Sequence, residues 1–251
     1  MLVLLLEKRG IEQEHEGEVS IYTIRRKRYG PRMKTLKDLN FDGKSIIESL
    51  LESSAYGHLE QAVASLTAFA HPDTVSTLSG CNVFRIIQGR TLADQGKIVS
   101  FQDGKLVMYD GKKGPTDAFM WAHGFRDSDY RDLELIHIWP TPKSVGDYTN
   151  LANLCMMPTF LVKLGETEPC VQHLVRYRCH ELFGGYLPAG EAAPEKPDRY
   201  DELTWMDPLD PVENLEATYR EAMALKPADS TTKAARVIGW LFSGFNPDHK
   251  I

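Results

Sequence analysis

The chain has 251 residues, a formal net charge of −6 and a pI of about 5.8. With 42% hydrophobic and 25% charged residues it has the composition of an ordinary globular protein. The acidic balance excludes binding of nucleic acid through an overall positive field, although a local basic segment remains compatible with it. No apolar run approaches the roughly 20 residues of a membrane-spanning helix, so no membrane partner is expected.

The chain begins MLVLLLEKRG, with an apolar run from Leu2 to Leu6 that Glu7 ends. No basic residue precedes this run and no small-residue cleavage site follows it, which favours a buried first strand over a signal peptide. We therefore expect a cytoplasmic protein, in which the four cysteines need not pair as disulfides.

A basic segment follows residues 17–25, whose alternating pattern predicts a strand. It runs from Arg25 to Lys37 and also carries Tyr29. Its cations can contact phosphates and its aromatic ring can stack on a base, whereas the other interpretation is a solvated turn. The predicted nucleic-acid contacts are Arg25, Arg26, Lys27, Arg28 and Arg32.

Helical spacing of apolar residues predicts a helix over 43–70, and a further helix is predicted over 74–87. Residues 97–111 predict a β-hairpin, because Asp103-Gly104 is a favoured turn between flanks rich in strand-forming residues. The later predicted elements are a helix opened by Pro115, strands at 133–139 and 153–157, helices at 158–165 and 168–183, an extended connection at 184–211, and helices at 212–225 and 230–242, the last capped by Ser230 or Thr231.

One histidine lies in the predicted strand LELIHIWP, residues 133–140, and NLANLCMMP, residues 150–158, follows after a loop. This order resembles the HNH nucleases, also called the ββα-metal or His-Me finger family. In that family a histidine ends the first strand, often with a proline three positions later, as in His137 and Pro140. An Asn-Leu pair opens the second strand. The resemblance covers residues 133–165.

The resemblance implies a nuclease in which His137 is the general base that takes a proton from the attacking water. A divalent ion, Mg²⁺ or Mn²⁺, would stabilise the developing charge. Two registers supply the asparagine that holds the loop. Asn150 would place the helix ligand of the ion near Thr159, and Asn153 would place it near Val162; the proline spacing favours Asn153.

The metal ligands are left unassigned, because the family's Asp, Glu or His immediately before the catalytic histidine is Ile136 here. Thr159 and Val162 are poor ligands too. Glu134 lies three positions before His137 and is expected on the opposite face of the strand. Asp132 and Asp147 could approach from loops instead.

Two alternatives follow. The first is a catalytically degenerate HNH-fold protein that serves as a nucleic-acid-binding or protein-interaction module with a regulatory role. The second is an α+β protein of unrelated fold, in which His137 is a hydrogen-bonded core residue.

Further candidates lie outside the motif. His123 is a second acid–base candidate, and Arg176 and Arg178 are candidate phosphate contacts. A zinc site is not favoured, because the chain has no C-x-x-C and buried thiols explain its cysteines. The potential zinc ligands are Cys155, Cys170, His173, Cys179 and His180.

The predicted fold class is α+β, with small β-hairpins, a predominantly helical remainder and a ββα-metal-like core. Three regions are predicted. They are an N-terminal α+β region at 1–115, an HNH-like region at 116–185, and a connection with C-terminal helices at 186–251.

Overall fold

A computed structural model describes residues 42–89, 91–126, 132–141 and 143–243. The chain divides into two compact units, residues 1–46 and 47–251. The predicted strands at 2–6 and 17–25 and the basic segment lie outside the described residues, and the division into three regions stays a prediction.

The described residues form a mixed α+β structure, which confirms the predicted class. None of its helices is both long enough and apolar enough to cross a bilayer. The helices are α1 (Gly43–Glu52), α2 (Leu59–Leu66), α3 (Pro72–Thr77), α4 (Lys113–Ala122), α5 (Thr159–Thr167), α6 (Pro169–Leu182), α7 (Leu215–Leu225) and α8 (Ser230–Ile238). The strands are β1 (Ala68–Phe69), β2 (Ile86–Gln88), β3 (Ile98–Ser100), β4 (Leu106–Asp110), β5 (Leu133–His137) and β6 (Leu154–Pro158).

The strands form two sheets of three. In the first sheet the order is β1-β6-β5, and both pairings are antiparallel. In the second the order is β2-β4-β3, with β2 parallel and β3 antiparallel to β4. The predicted hairpin over 97–111 is therefore confirmed, and Gly104 supplies the positive φ of +75° that its turn needs.

The first sheet is covered on both faces, which explains the continuous apolar run of β6. Along β5, Leu135 faces a first core built with helices α4, α7 and α8 and the second sheet. The next residue, Ile136, faces a second core built with α2, α5 and α6. The alternation of side chains along a strand thus directs the neighbouring residues Leu135 and Ile136 of β5 to different cores.

An isolated bridge in the first core links Phe84 to Trp240, just beyond α8. The Phe84 ring also contacts Trp121 and Tyr219 edge-on, with centroids 5.9 and 6.0 Å away. Trp240 joins this cluster from near the C-terminal end of the described residues. The last described part of the chain therefore completes the first core.

The helix predicted over 43–70 is wrong as a single element. It is divided into α1 and α2 around Gly57, which has a φ of +74°. The His58 imidazole then accepts a hydrogen bond from the Gln61 N–H and caps α2. Ala68 and Phe69, predicted as helix, pair with β6 instead.

The helix predicted over 74–87 is wrong in its second half. Helix α3 ends at Thr77, and Ser79 and Gly80 follow with positive φ angles of 52° and 67°. Ile86 and Ile87 pair with β4 as a strand. A short run of apolar residues is compatible with either a helix or a strand. Here the pairing with β4 makes the run a strand.

The later predictions are confirmed in type, with bounds that differ by a few residues. The cap of α8 is a correction, because the Asp229 carboxylate and not Ser230 or Thr231 accepts the hydrogen bond from the Thr231 N–H. The connection over 184–211 runs along the rest of the chain, where Met206 and Leu209 donate backbone hydrogen bonds to Ala64 and Phe69.

Candidate functional site

His137 is the last residue of β5 and pairs with Leu154 of β6. Its ring stacks on Tyr148, with centroids 4.8 Å apart and planes 12° from parallel. Its Nε2 lies 2.9 Å from the Tyr148 carbonyl oxygen. The strand end and the following loop therefore fix the ring from two directions.

Asn153 holds the loop that leaves β5. Its side-chain oxygen accepts a hydrogen bond of 2.9 Å from the Trp139 N–H. Its amide nitrogen donates to Thr141 Oγ1 at 2.8 Å, and to the carbonyls of Trp139 and Asp147 at 3.2 Å each. The side chain is fully buried. One amide thus joins both ends of the loop that carries Tyr148, and through Tyr148 it sets the position of His137.

Asn150 has a different role. Its side-chain oxygen accepts from the Ala152 N–H at 3.0 Å and caps the short 3-10 turn before β6. Its amide donates to the Gly80 carbonyl at 2.7 Å, near the end of α3. Of the two registers, the Asn153 register is the one in which the asparagine holds the His137 loop.

The hydrogen bond to Tyr148 assigns the tautomer of His137. A carbonyl oxygen only accepts, so Nε2 carries the proton and Nδ1 keeps the lone pair. Nδ1 makes no hydrogen bond within the described ranges and is not sealed from solvent. Burial lowers the pKa of His137, and the positive charge of Lys112 lowers it further. The hydrogen bond to the Tyr148 carbonyl opposes both effects but is outweighed. The ring is therefore neutral at pH 7, with a basic nitrogen available.

A cavity of about 310 Å³ lies beside His137, within the range of small-molecule sites. We call it the His137 cleft. Its charged lining residues are Lys112, Glu166 and Arg176. Arg176 donates its Nε–H to the Ile138 carbonyl at 3.2 Å, its one hydrogen bond to a described residue. The lining has one more positive than negative charge, which suits an anion.

The residues at the expected metal positions do not fit a divalent ion. Ile136 is 4% exposed, and Val162 is buried in the same second core. A Cβ added to Gly165 of α5 would lie 3.2 Å from Ile136 Cδ1 and 3.0 Å from Met157 Sδ. The side chains of Ile136 and Met157 therefore pack closely against the backbone of Gly165. Thr159 donates its hydroxyl to the Asp132 carbonyl. Hydrocarbon fills the space between β5 and α5 where an ion would need oxygen or nitrogen.

The other candidate ligands already have partners. Glu134 lies 3.1 Å from Lys112 Nζ. The Asp147 carboxylate accepts hydrogen bonds from Tyr186 and Ser144. Across the ranges that the structure describes, no group of three or more His, Cys, Asp or Glu side chains is placed to hold a metal.

The candidate zinc residues do not come together as one set of ligands among the described residues. Cys155 and Cys179 are buried, and burial raises the pKa of both thiols. The Cys179 thiol donates to the Ala152 carbonyl. Cys170 is exposed, and His173 contacts the Glu195 carbonyl. Protonated, buried thiols are packing groups, because zinc binds the thiolate.

His123 lies away from the cleft, with its ring between Phe119 and Phe125. Its Nδ1 donates to the Phe119 carbonyl at 2.7 Å, and Nε2 is buried with no partner among the described residues. Burial lowers the pKa of His123 to about 4. It is therefore a neutral core residue at pH 7.

This burial predicts a pH dependence of stability. Between pH 6.5 and 4 the unfolded chain takes up a proton on His123 that the folded chain resists, so the stability present above pH 6.5 is lost as the pH falls. The difference in unfolding free energy between the wild type and His123→Gln should shift by about 2.5 kcal/mol between pH 7 and 4.5, in favour of the variant at low pH. Urea unfolding at both pH values measures it.

Comparing the two proteins also removes an opposing effect. Burial raises the pKa of Asp117 to about 6, against its hydrogen bond from Thr231 and the charge of Lys113. Asp117 therefore adds stability as the pH falls through 6, but it does so equally in both proteins. An unchanged difference at the two pH values would contradict the neutral, buried His123.

Of the arginines on α6, only Arg176 lines the cleft. Arg178 pairs with Glu181 and lies over the Trp205 ring at 5.1 Å. The five cations from Arg25 to Arg32 lie outside the described residues. Sequence reasoning missed Lys112 and Glu166, because no local pattern marks a contact between residues 54 positions apart.

Comparisons with known proteins add no relatives: no family model, no curated protein and no solved structure matches this chain.

Proposed function

We propose that this chain is an HNH-like protein that hydrolyses nucleic-acid phosphodiesters at the His137 cleft, with Nδ1 of His137 as general base. The observation that carries the proposal is the hydrogen bond from Nε2 to the Tyr148 carbonyl. It leaves a basic nitrogen on a histidine that is neutral at pH 7, as a general base requires. The order of two antiparallel strands and a helix, β5, β6 and α5, supports it.

In the proposed reaction a water attacks the phosphorus of a phosphodiester bound in the cleft. One water proton passes to Nδ1 of His137 as the new P–O bond forms. The bond to the leaving oxygen breaks, and that oxygen takes a proton from solvent. Arg176 contributes positive charge next to the phosphoryl oxygens. The cations from Arg25 to Arg32 are further proposed contacts to nucleic-acid phosphates.

His137→Ala should lower the cleavage rate by about a hundredfold, because a positioned general base contributes at least that much. The full chain is assayed on plasmid DNA, single-stranded DNA and RNA, in EDTA and with Mg²⁺ or Mn²⁺. The matched control is His173→Ala, which removes an exposed imidazole of α6 outside the cleft. Equal cleavage by both variants would exclude His137 as the base.

A second candidate function is a catalytically degenerate HNH-fold protein that acts in the cytoplasm as a nucleic-acid-binding or protein-interaction module with a regulatory role. Ile136 favours it, because hydrocarbon packs where a metal-dependent enzyme needs a ligand. This candidate predicts binding of labelled nucleic acid with no cleavage under any of the metal conditions. Cleavage that depends on His137 would rule it out.

A further inference from the structure

Lys112 lines the His137 cleft and pairs with two glutamates. It lies between β4 and α4 as the N-cap residue of α4, and its side chain makes no capping hydrogen bond to the helix. Its Nζ lies 3.1 Å from Glu134 Oε1 on β5 and 3.1 Å from Glu166 Oε1 on α5. The ammonium is therefore held between a strand and a helix of the proposed HNH-like unit.

The two carboxylates fix the ammonium and leave it able to bind a ligand. Burial opposes its charge, but Glu134 and Glu166 outweigh burial and raise the pKa of Lys112, so it stays charged at pH 7. An ammonium has three N–H donors, and the two glutamates take two of them. The third remains for a group in the cleft.

The surrounding charges favour a singly charged anion. Glu166 is shared with Lys163, whose Nζ lies 3.6 Å from its second oxygen. The two positive charges of Lys112 and Lys163 are therefore balanced by the two negative charges of Glu134 and Glu166. Arg176 adds a positive charge at the same cleft, with its Nε bound to the Ile138 carbonyl and its terminal nitrogens left for a ligand. A phosphodiester carries one negative charge, which these groups can neutralise.

We infer that the Lys112 ammonium is the resident cation of the His137 cleft, and that a phosphodiester binds there to Lys112 and Arg176 without a divalent ion. The inference rests on the proposed function, since it names how that site holds its substrate. It also accounts for the hydrocarbon at the metal positions, because a fixed ammonium needs no metal ligands. A charge-assisted hydrogen bond of this kind is strong enough to change affinity about tenfold.

The test uses the full chain and dimethyl phosphate, a phosphodiester without bases that does not depend on the basic segment. Binding is followed by NMR through the ring signals of His137, in EDTA and again in Mg²⁺ or Mn²⁺. The wild type should bind with the same Kd, within about twofold, in all three. Lys112→Gln should weaken binding about tenfold.

Two variants separate the charge from the fold. Lys163→Gln removes an exposed lysine that shares Glu166 but does not line the cleft, and it should weaken binding much less than Lys112→Gln does. Lys112→Arg keeps the cation and should retain binding. Circular dichroism confirms that each variant is folded, and if Lys112→Gln is not, the comparison of Lys112→Arg with wild type in EDTA still tests the site.

The outcomes distinguish the two proposals. Binding that appears only with Mg²⁺ or Mn²⁺ overturns the role of Lys112 and leaves the proposed function standing. Equal effects of Lys112→Gln and Lys163→Gln overturn it as well. A wild type whose His137 signals do not respond under any condition overturns the proposed function itself.

Discussion

Ile136→Asp should lower the free energy of unfolding by about 4 kcal/mol at pH 7, because it places a carboxylate in the second core. Ile136 is 4% exposed and faces α5, where Met157 and Gly165 close the space. The family resemblance would make the same substitution a restored metal ligand, so one variant tests two views of the site.

Urea unfolding measures this effect, once in EDTA and once in about 10 mM MgCl₂. We expect no recovery with Mg²⁺. Ile136→Asn is the matched control, since an asparagine side chain is polar and about as large as that of aspartate but carries no charge. At pH 5 the Asp variant should approach the Asn variant, because a buried carboxyl takes up its proton at higher pH than a free one. Recovery by Mg²⁺ in the Asp variant alone would show that an ion fits between β5 and α5.

Asn153→Ala should lower the free energy of unfolding by about 3 kcal/mol, because it leaves several buried groups without partners. The Trp139 N–H loses its acceptor, and the carbonyls of Trp139 and Asp147 lose a donor. The loop that carries Tyr148 would then no longer fix His137. Cleavage or phosphodiester binding at the cleft should fall together with stability.

Asn150→Ala is the control for this prediction. Asn150 is also buried, but its two hydrogen bonds go to Ala152 and Gly80, outside the His137 loop. We expect a loss of about 1.5 kcal/mol and little change in the NMR signals of the His137 ring. If Asn150→Ala moved those signals more than Asn153→Ala, the other register would hold the loop.

The sequence predicted the elements whose signals are local. The β-hairpin over 97–111 has a turn dipeptide between strand-forming flanks, and strands β5 and β6 are short apolar runs bounded by a loop. The helix predictions over 43–70 and 74–87 erred where the partner is distant. Ala68 and Phe69 are strand only because β6 lies beside them, and Ile86 because of β4.

Within the site, the sequence identified His137 and both asparagines as candidates. It favoured Asn153 over Asn150 from the proline spacing alone, because the contacts of the two side chains depend on the path of the loop over 138–147. Lys112 gave no signal, since its partners Glu134 and Glu166 come from elsewhere in the chain. Contacts of this kind follow from the packing of the two sheets, which no residue pattern encodes.

The bridge between Phe84 and Trp240 bears on how the protein is made. Roughly 150 residues of chain separate the two rings, and a ribosome adds about 5–20 residues per second, so Phe84 waits on the order of ten to thirty seconds for its partner. For most of that interval the Phe84 ring has neither Tyr219 nor Trp240 to cover it. Newly synthesised chains should therefore bind chaperones until Trp240 has been added, and synthesis stopped before α7 should yield aggregating fragments rather than a smaller folded protein.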